Sequence, residues 1–225
     1  MHNVMMDKYI NEFREYCLLQ GIREELFMTA ENLDRYVETA VDAYREYPLV
    51  VHAFGGTVDP DKLFKMFYVD HKSRMNKSLG IAGDAYEAVM IVEPPLAPKT
   101  GVLQCLREAD IHSLRLLLSR ETIEMEHFES FALHERKPFL DDMTWYIYVF
   151  ATKKAFQRQG HGKKLMRMIR SFADENGYHI CLETNLKDNV PMYEMFGFRV
   201  ASSTVFHDSI DHYVMLYEGG ADESD

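Results

Sequence analysis

The sequence predicts an α/β protein, and three observations from one stretch of it carry that prediction. Residues 145–151, Trp-Tyr-Ile-Tyr-Val-Phe-Ala, are all aromatic, β-branched or small, which is the composition of a buried strand. Residues 163–176 place Leu165, Met166, Ile169, Phe172 and Ala173 at helical spacing. Residues 179–185, His-Ile-Cys-Leu-Glu-Thr-Asn, then read as a second strand.

The rest of the chain supplies elements around that strand–helix–strand unit. Tyr9, Phe13 and Cys17 recur at helical spacing and predict a short helix over residues 6–19. Residues 22–28 are the best place for a first strand. Leu33, Tyr36, Val37, Ala40, Val41 and Tyr44 give an amphipathic helix closed by Pro48. Leu63, Phe64, Met66, Phe67 and Val69 predict another helix within residues 61–74. Residues 81–85 and 88–92 read as a hairpin, stopped by Pro94 and Pro95 because proline cannot continue a ladder. Residues 94–101 form a loop, and Leu103, Leu106, Leu114, Leu117 and Leu118 mark a helical stretch beyond it. Ile123, His127, Phe128, Phe131 and Leu133 mark another. The acidic residues 219–225 read as a disordered tail.

Composition narrows the function. With 225 residues, 47% of them hydrophobic, the chain can bury a sizeable core, and one domain over residues 1–218 is expected. A formal net charge of −11 argues against nucleic-acid binding, which needs a basic surface. An acidic surface draws in cationic ligands, amines among them, or simply keeps the protein soluble. Three scattered cysteines, Cys17, Cys105 and Cys181, show no disulfide or metal-ligand spacing and fit a reducing, cytoplasmic compartment. Ten histidines include no HExxH pair, so no metal is expected. No apolar run approaches a membrane span.

Between the first strand and the helix lies Gln157-Arg158-Gln159-Gly160-His161-Gly162. Glycine lets a backbone turn sharply and approach a ligand closely. The first amides of a helix have no internal partner and attract phosphate. Arg158, Lys163 and Lys164 add positive charge. Two familiar phosphate loops do not fit. A P-loop needs glycine at 157 and Ser or Thr at 164, where Gln157 and Lys164 stand. A dinucleotide fingerprint needs glycine at 165, where Leu165 stands.

The hexapeptide matches Q/R-x-x-G-x-G/A, and in this it resembles the pyrophosphate-binding turn of the GNAT N-acetyltransferases, which bind acetyl-CoA. A second motif follows in the right order. Asn189, Tyr193, Glu194, Gly197 and Phe198 match the family's N-x-x-x-Y-E-x-x-G-F ending. The resemblance covers residues 145–217 firmly and the N-terminal half in outline, through a helix that ends in a Tyr-Pro-Leu phrase.

The resemblance implies a mixed, mostly antiparallel sheet, splayed between residues 145–152 and 179–185, with helices on both faces. It implies an acceptor-side half over about residues 1–140 and a coenzyme-binding half over about 141–218. The implied activity is transfer of an acetyl group from acetyl-CoA to a primary amine by direct attack in a ternary complex. The acceptor side favours a small molecule, with a protein N-terminus or lysine as the alternative. A catalytically silent coenzyme-binding module is the rival of another class. A homodimer stays open, as do the acceptor's identity and the acyl-chain preference.

Carried onto this sequence, the resemblance assigns the pyrophosphate to Gln157, Arg158, Gln159, Gly160, His161, Gly162 and Lys163. It assigns the pantetheine arm to backbone groups of Phe150, Ala151 and Thr152, and Asn189 to a further contact with that arm. Tyr193 matches the family's general acid. Its hydroxyl, with an ordinary pKa of about 10 against about 8.5 for a thiol, stays protonated at neutral pH and can supply a departing thiolate. Glu183 is the first choice of base, with His134, Glu135 or ordered water as alternatives. Lys154 stands where the family usually has proline, and His161 where it often has a hydrophobe. Neither change removes a required group.

Overall fold

The computed structural model describes residues 2–98 and 115–220. A six-stranded sheet runs in the order β1-β2-β3-β4-β6-β5, with β1 Leu79–Ala82, β2 Ala88–Glu93, β3 Thr144–Thr152, β4 His179–Thr184, β5 Arg199–Phe206 and β6 Ile210–Glu218. All neighbours pair antiparallel except β3 with β4, which are parallel. The sheet is mixed and mostly antiparallel, as the resemblance implies.

Helices cover both faces. Successive strand residues point to opposite sides, and Trp145 and Tyr146 show what each side meets. Trp145 is fully buried against Phe13 of α1 (His2–Leu19) and Phe172 of the helix at His161–Asn176, with ring centroids 5.3 and 5.7 Å away. Tyr146 lies under the guanidinium of Arg136, which ends the helix at Arg120–Arg136. Helices fully within the described residues are, in chain order, α1, α2 Leu33–Tyr44, α3 Pro48–Ala53, α4 Pro60–Arg74, α5 Arg120–Arg136, α6 His161–Asn176 and α7 Val190–Glu194.

Local sequence explains most boundaries. Asp59 caps α4 by accepting from the amides of Asp61 and Lys62, and Pro60 fills the first helical position. Gly177, with φ of +70°, closes α6. Leu165, Met166, Met168, Ile169, Phe172 and Ala173 give α6 the buried stripe that the spacing predicts.

Two expectations need correction. Residues 22–28 do not form a strand. A 3-10 turn at Glu24–Leu26 breaks the run, and only a single bridge, Phe27 to Ile81, reaches the sheet. The polar run Arg23-Glu24-Glu25 leaves too few alternating apolar positions for a ladder. The segment is held from outside, by the hydroxyl of Tyr36 on the Leu26 carbonyl and that of Tyr86 on the Glu25 carbonyl. Pro48 does not merely follow α2. It opens α3, at a position that needs no amide hydrogen. The stretch carrying Leu103, Leu106 and Leu114, together with Cys105, Gly101 and residues 221–225, lies outside the described residues. Among those described, no helix is long and apolar enough to cross a membrane.

What positions the site is the way β3 and β4 part. They pair only from Thr144 with His179 to Ile147 with Leu182. Beyond that point β3 pairs on one side with β2, and Glu183 and Thr184 pair on the other with β6. A bulge falls at the same place. Ile91 faces Val149 and Val92 faces Ile147, so Tyr148 is the extra residue and the strand bends there.

Phe13 is fully buried and contacts both Trp145 and Phe172. Phe13→Ala should therefore cost about 3–5 kcal/mol, the usual range for a buried phenylalanine. Trp145 is the sole tryptophan. A urea titration followed by its fluorescence should show the lowered midpoint; an unchanged midpoint would mean that α1 is not docked on this core.

Candidate active site

The Gln157–Gly162 turn stands at the open end of the split. Gly160 is the N-cap of α6, with φ of +89°, and no side chain caps the helix. The two glycines serve different needs. Gly160 supplies a left-handed conformation that other residues adopt only with strain. Gly162 supplies closeness, since a Cβ there would sit 2.9 Å from the Thr152 hydroxyl and 3.0 Å from the Phe150 ring. Arg158 is also left-handed, at φ of +61°. Gln157 donates to the Thr152 carbonyl and Gln159 to that of Ala155, which brace the turn from within. Arg158, Lys163, Lys164 and Arg167 are exposed, and none makes an ion pair with a described residue. In an acidic chain, that leaves a cluster of free cations around an uncapped helix end.

The split itself is wedged by two tyrosines that link α2 to α3. The Tyr44 hydroxyl donates to the Phe150 carbonyl (2.9 Å) and accepts from the Phe150 amide (3.3 Å). The Tyr47 hydroxyl accepts from the Asn185 amide (2.6 Å) and bonds the Thr184 hydroxyl (3.0 Å). The rings meet edge to face, 5.3 Å apart. One tyrosine thus serves each strand. Because amides alternate sides along a strand, Ala151 turns its backbone groups toward β2, while Phe150 and Thr152 turn theirs to the split. Asn189 donates to the Thr184 hydroxyl at the same place (3.1 Å). Tyr193 is buried between the rings of Phe150 and Phe198. Burial, and then the nearby Tyr44 and Tyr47, push its hydroxyl well above the usual tyrosine value.

Behind the wedge is a cavity of about 210 Å³, walled by α2–α4, α5, β3 and the end of β4. Two similar constructions line it. Tyr146 donates to Glu183 Oε2 (2.6 Å), and Arg136 stacks on the ring (4.6 Å) while bonding that same oxygen (3.2 Å). Tyr148 donates to Asp70 Oδ2 (2.7 Å), and Arg74 stacks on the ring (3.5 Å) while bonding Asp70 Oδ1 (3.1 Å). The Arg74 guanidinium and two neighbouring hydrogen bonds hold the Asp70 carboxyl below the usual carboxylate range, against the effect of burial. Glu183 Oε1 lies 3.3 Å from His212 Nε2 without hydrogen-bond geometry, and neither atom has a hydrogen-bond partner.

Known proteins now place the fold. Residues 133–218 match the acetyltransferase (GNAT) domain. An uncharacterised N-acetyltransferase of Schizosaccharomyces pombe is 36% identical over 58 residues, which span 26% of this chain and 24% of that protein. The similarity to GNAT acetyltransferases thus lies in the C-terminal part of the chain, residues 133–218. Among solved structures, an HPA2-related acetyltransferase of Corynebacterium glutamicum shares the fold at 16% identity, with 88% of this chain and 96% of that one covered and a TM-score of 0.56. Arylalkylamine N-acetyltransferase 2 of Aedes aegypti does so at 14% identity, 88% and 99% coverage and a TM-score of 0.53. The C-terminal condensation domain of Ebony does so at 9% identity, 85% and 96% coverage and 0.58.

Within the matched region the sequence-predicted residues fall into two groups. Gln157 to Lys163, Phe150, Thr152, Asn189, Tyr193 and Glu183 surround the split and the cavity behind it. His134 is exposed, and Glu135 is bound by the Ser202 hydroxyl (3.1 Å); neither lines the cavity. Sequence reading passed over Tyr44, Tyr47, Tyr146, Tyr148, Asp70 and Arg74. The period-two pair Tyr146/Tyr148 and the i, i+4 pair Asp70/Arg74 were the available signals.

The buried hydroxyls predict behaviour at high pH. Burial raises Tyr44, Tyr146, Tyr148 and Tyr193 above their unfolded value of about 10. Groups raised in the folded state contribute stability that is fully present below the unfolded pKa and lost as pH rises beyond it. Stability should hold to about pH 9 and fall steeply above pH 10. Urea midpoints between pH 8 and 11 would check this; a flat profile would contradict the burial of these hydroxyls.

Proposed function

We propose that the protein transfers an acetyl group from acetyl-CoA to the primary amine of a small molecule held in the cavity, by direct attack in a ternary complex. One observation carries the reading. Phe150 is shared between an uncapped, cation-rich helix end on one side and a carboxylate-lined cavity on the other. Its ring packs at Gly162, and its backbone meets Tyr44, which lines the cavity.

The free amides at the start of α6, with Arg158 and Lys163, suit a pyrophosphate. The side of β3 that β4 leaves at Phe150 and Thr152, held here by the side chains of Tyr44 and Gln157, suits with Asn189 a pantetheine arm whose amide groups take over those hydrogen bonds. The cosubstrate supplies an activated thioester. The amine nitrogen attacks its carbonyl carbon, a C–N bond forms, the C–S bond breaks, and the product is an amide with free CoA thiol. This chain manages the protons. Tyr193, held neutral by burial, protonates the departing thiolate. Glu183 takes the amine proton, directly or through water. Its Oε2 is saturated by Tyr146 and Arg136, which leaves Oε1 to accept. The small volume of the cavity, about 210 Å³, favours a small acceptor over a protein chain.

CoA or acetyl-CoA should raise the melting temperature, because a ligand that binds only the folded state stabilises it. Gly160→Asp should remove the shift, by placing bulk and negative charge where phosphate must approach and by straining the left-handed position. Absence of any shift up to millimolar CoA in the wild type would end this reading.

Tyr193→Phe keeps the ring packed against Phe150 and Phe198 and removes the proton. Turnover, read by free-thiol release, should fall about tenfold or more, while CoA affinity by calorimetry stays close to wild type. Wild-type turnover across pH 6–9 in the variant would remove Tyr193 from the acid role.

A further inference from the structure

One carboxylate in the cavity has no partner. Glu126, on α5, lines the cavity and is half-buried, yet it makes no ion pair or hydrogen bond with any described residue. Its neighbours are committed elsewhere. Asp70 is held by Arg74, His71 and Tyr148, and Glu129 by Arg136. Burial, then the nearby Asp70 and Glu129 carboxylates, push Glu126 above the usual carboxylate range, so its surroundings do not compensate its charge. A second unmet group belongs to the same wall. His71 lines the cavity, is 2% exposed, and gives Nδ1 to Asp70, but its Nε2 has no partner. The cavity wall therefore carries unmet polar groups in two places, with Glu126 partly exposed and the Glu183 and His71 atoms sealed behind the surface. Glu183 Oε1 is at the β4 end, beside Arg136, while Glu126 and His71 are at the α4–α5 end, beside Asp70 and Arg74.

From this we infer that the acceptor carries a second cationic group besides the amine that is acetylated, and that Glu126 receives it. This rests on the acetyltransferase reading above and narrows it to diamine-like acceptors. A half-buried carboxylate without a partner loses part of its hydration, and a bound cation offsets that loss. The apolar part of the lining, which includes Phe67, Val69, Met125 and Phe128, suits the carbon chain or ring that joins the two nitrogens. A monoamine of the same shape would leave Glu126 unmet, and a site built around a polar contact discriminates against a ligand that lacks it.

The test compares α,ω-diamines with monoamines of matched length, using wild-type protein, Glu126→Gln and Glu126→Lys. Thiol release with acetyl-CoA gives kcat and KM. Calorimetry gives direct binding of each amine, and Trp145 fluorescence checks that the variants are folded. Diamines should show the lower KM in the wild type. Glu126→Gln should raise KM for diamines about tenfold or more, with KM for monoamines and kcat little changed. Glu126→Lys should shift the preference toward amines that bear a carboxylate. Equal effects on diamines and monoamines, or no diamine preference in the wild type, would overturn the inference while leaving acetyl transfer intact. Diamine binding that depends on Glu126 without any acetyl transfer would support the inference and sink the proposed reaction instead. A Glu126→Gln protein that is unfolded leaves the decision to the wild-type preference and the Glu126→Lys switch.

Discussion

Four residues of parallel pairing hold β3 to β4, and the site depends on that pairing stopping at Ile147. A longer ladder would close the split and bury every backbone group the site exposes. A bulge at Tyr148 enforces the stop, because it bends β3 away just where the last pair is made. Parting two central strands has a cost, since unpaired backbone groups away from water lose their hydrogen bonds. Tyr44 and Tyr47 offset it. A tyrosine hydroxyl both donates and accepts, so Tyr44 serves the amide and carbonyl of Phe150 at once. The wedge keeps the strands apart and satisfied in the same step.

Charge is then divided between the two sides of the wedge. The free cations collect at the α6 end and the carboxylates behind the split. Burying so many charges is expensive unless each is paired with good geometry. The two tyrosine–carboxylate–arginine groups meet that condition, since each arginine stacks on a ring and bonds the carboxylate that the ring's hydroxyl also bonds. Glu93 and Lys77 extend the Arg74 group, and Glu129 extends the Arg136 group. Such groups add little net stability, but they leave few ways for the cavity walls to rearrange. Against that rigid background the unmet Glu183 Oε1 and His71 Nε2 and the unpaired Glu126 stand out.

The legible part of this fold was the part whose signal is local. The run at 145–151, the glycines at 160 and 162 and the stripe of α6 each declare themselves within a few residues, and the motif around Tyr193 follows in order. The failure at residues 22–28 was also local in cause, because a 3-10 turn and a polar run look much like an interrupted strand. The cavity was harder to read because no short stretch contains it. Asp70, Glu126 and Tyr148 come from three elements, and nothing in the sequence says that they meet. Tyr44 and Tyr47 read equally well as core aromatics. Their role depends on a split that exists only once β3 and β4 are placed. His134 and Glu135 looked near the site because they precede β3 in sequence, but the end of α5 turns them away from the cavity.

The two departures from the family pattern make sense once the wedge is in view. At 154 a proline would have no amide hydrogen. Lys154 has one and gives it to Asp42 on α2 (2.6 Å), while its ammonium pairs with Glu46. At 161 a hydrophobe could only pack. His161 bonds Glu87 (2.9 Å), whose other carboxylate oxygen accepts from the Ala85 amide and whose carbonyl accepts from the Lys153 amide. Both substitutions add polar ties around the phosphate turn. One joins the turn to the helix that carries Tyr44, and the other joins it to the β1–β2 loop and the end of β3. The wedge and the turn are thus fixed to one another on both sides of the split, so the spacing between the phosphate end and the cavity is set by hydrogen bonds rather than by packing alone.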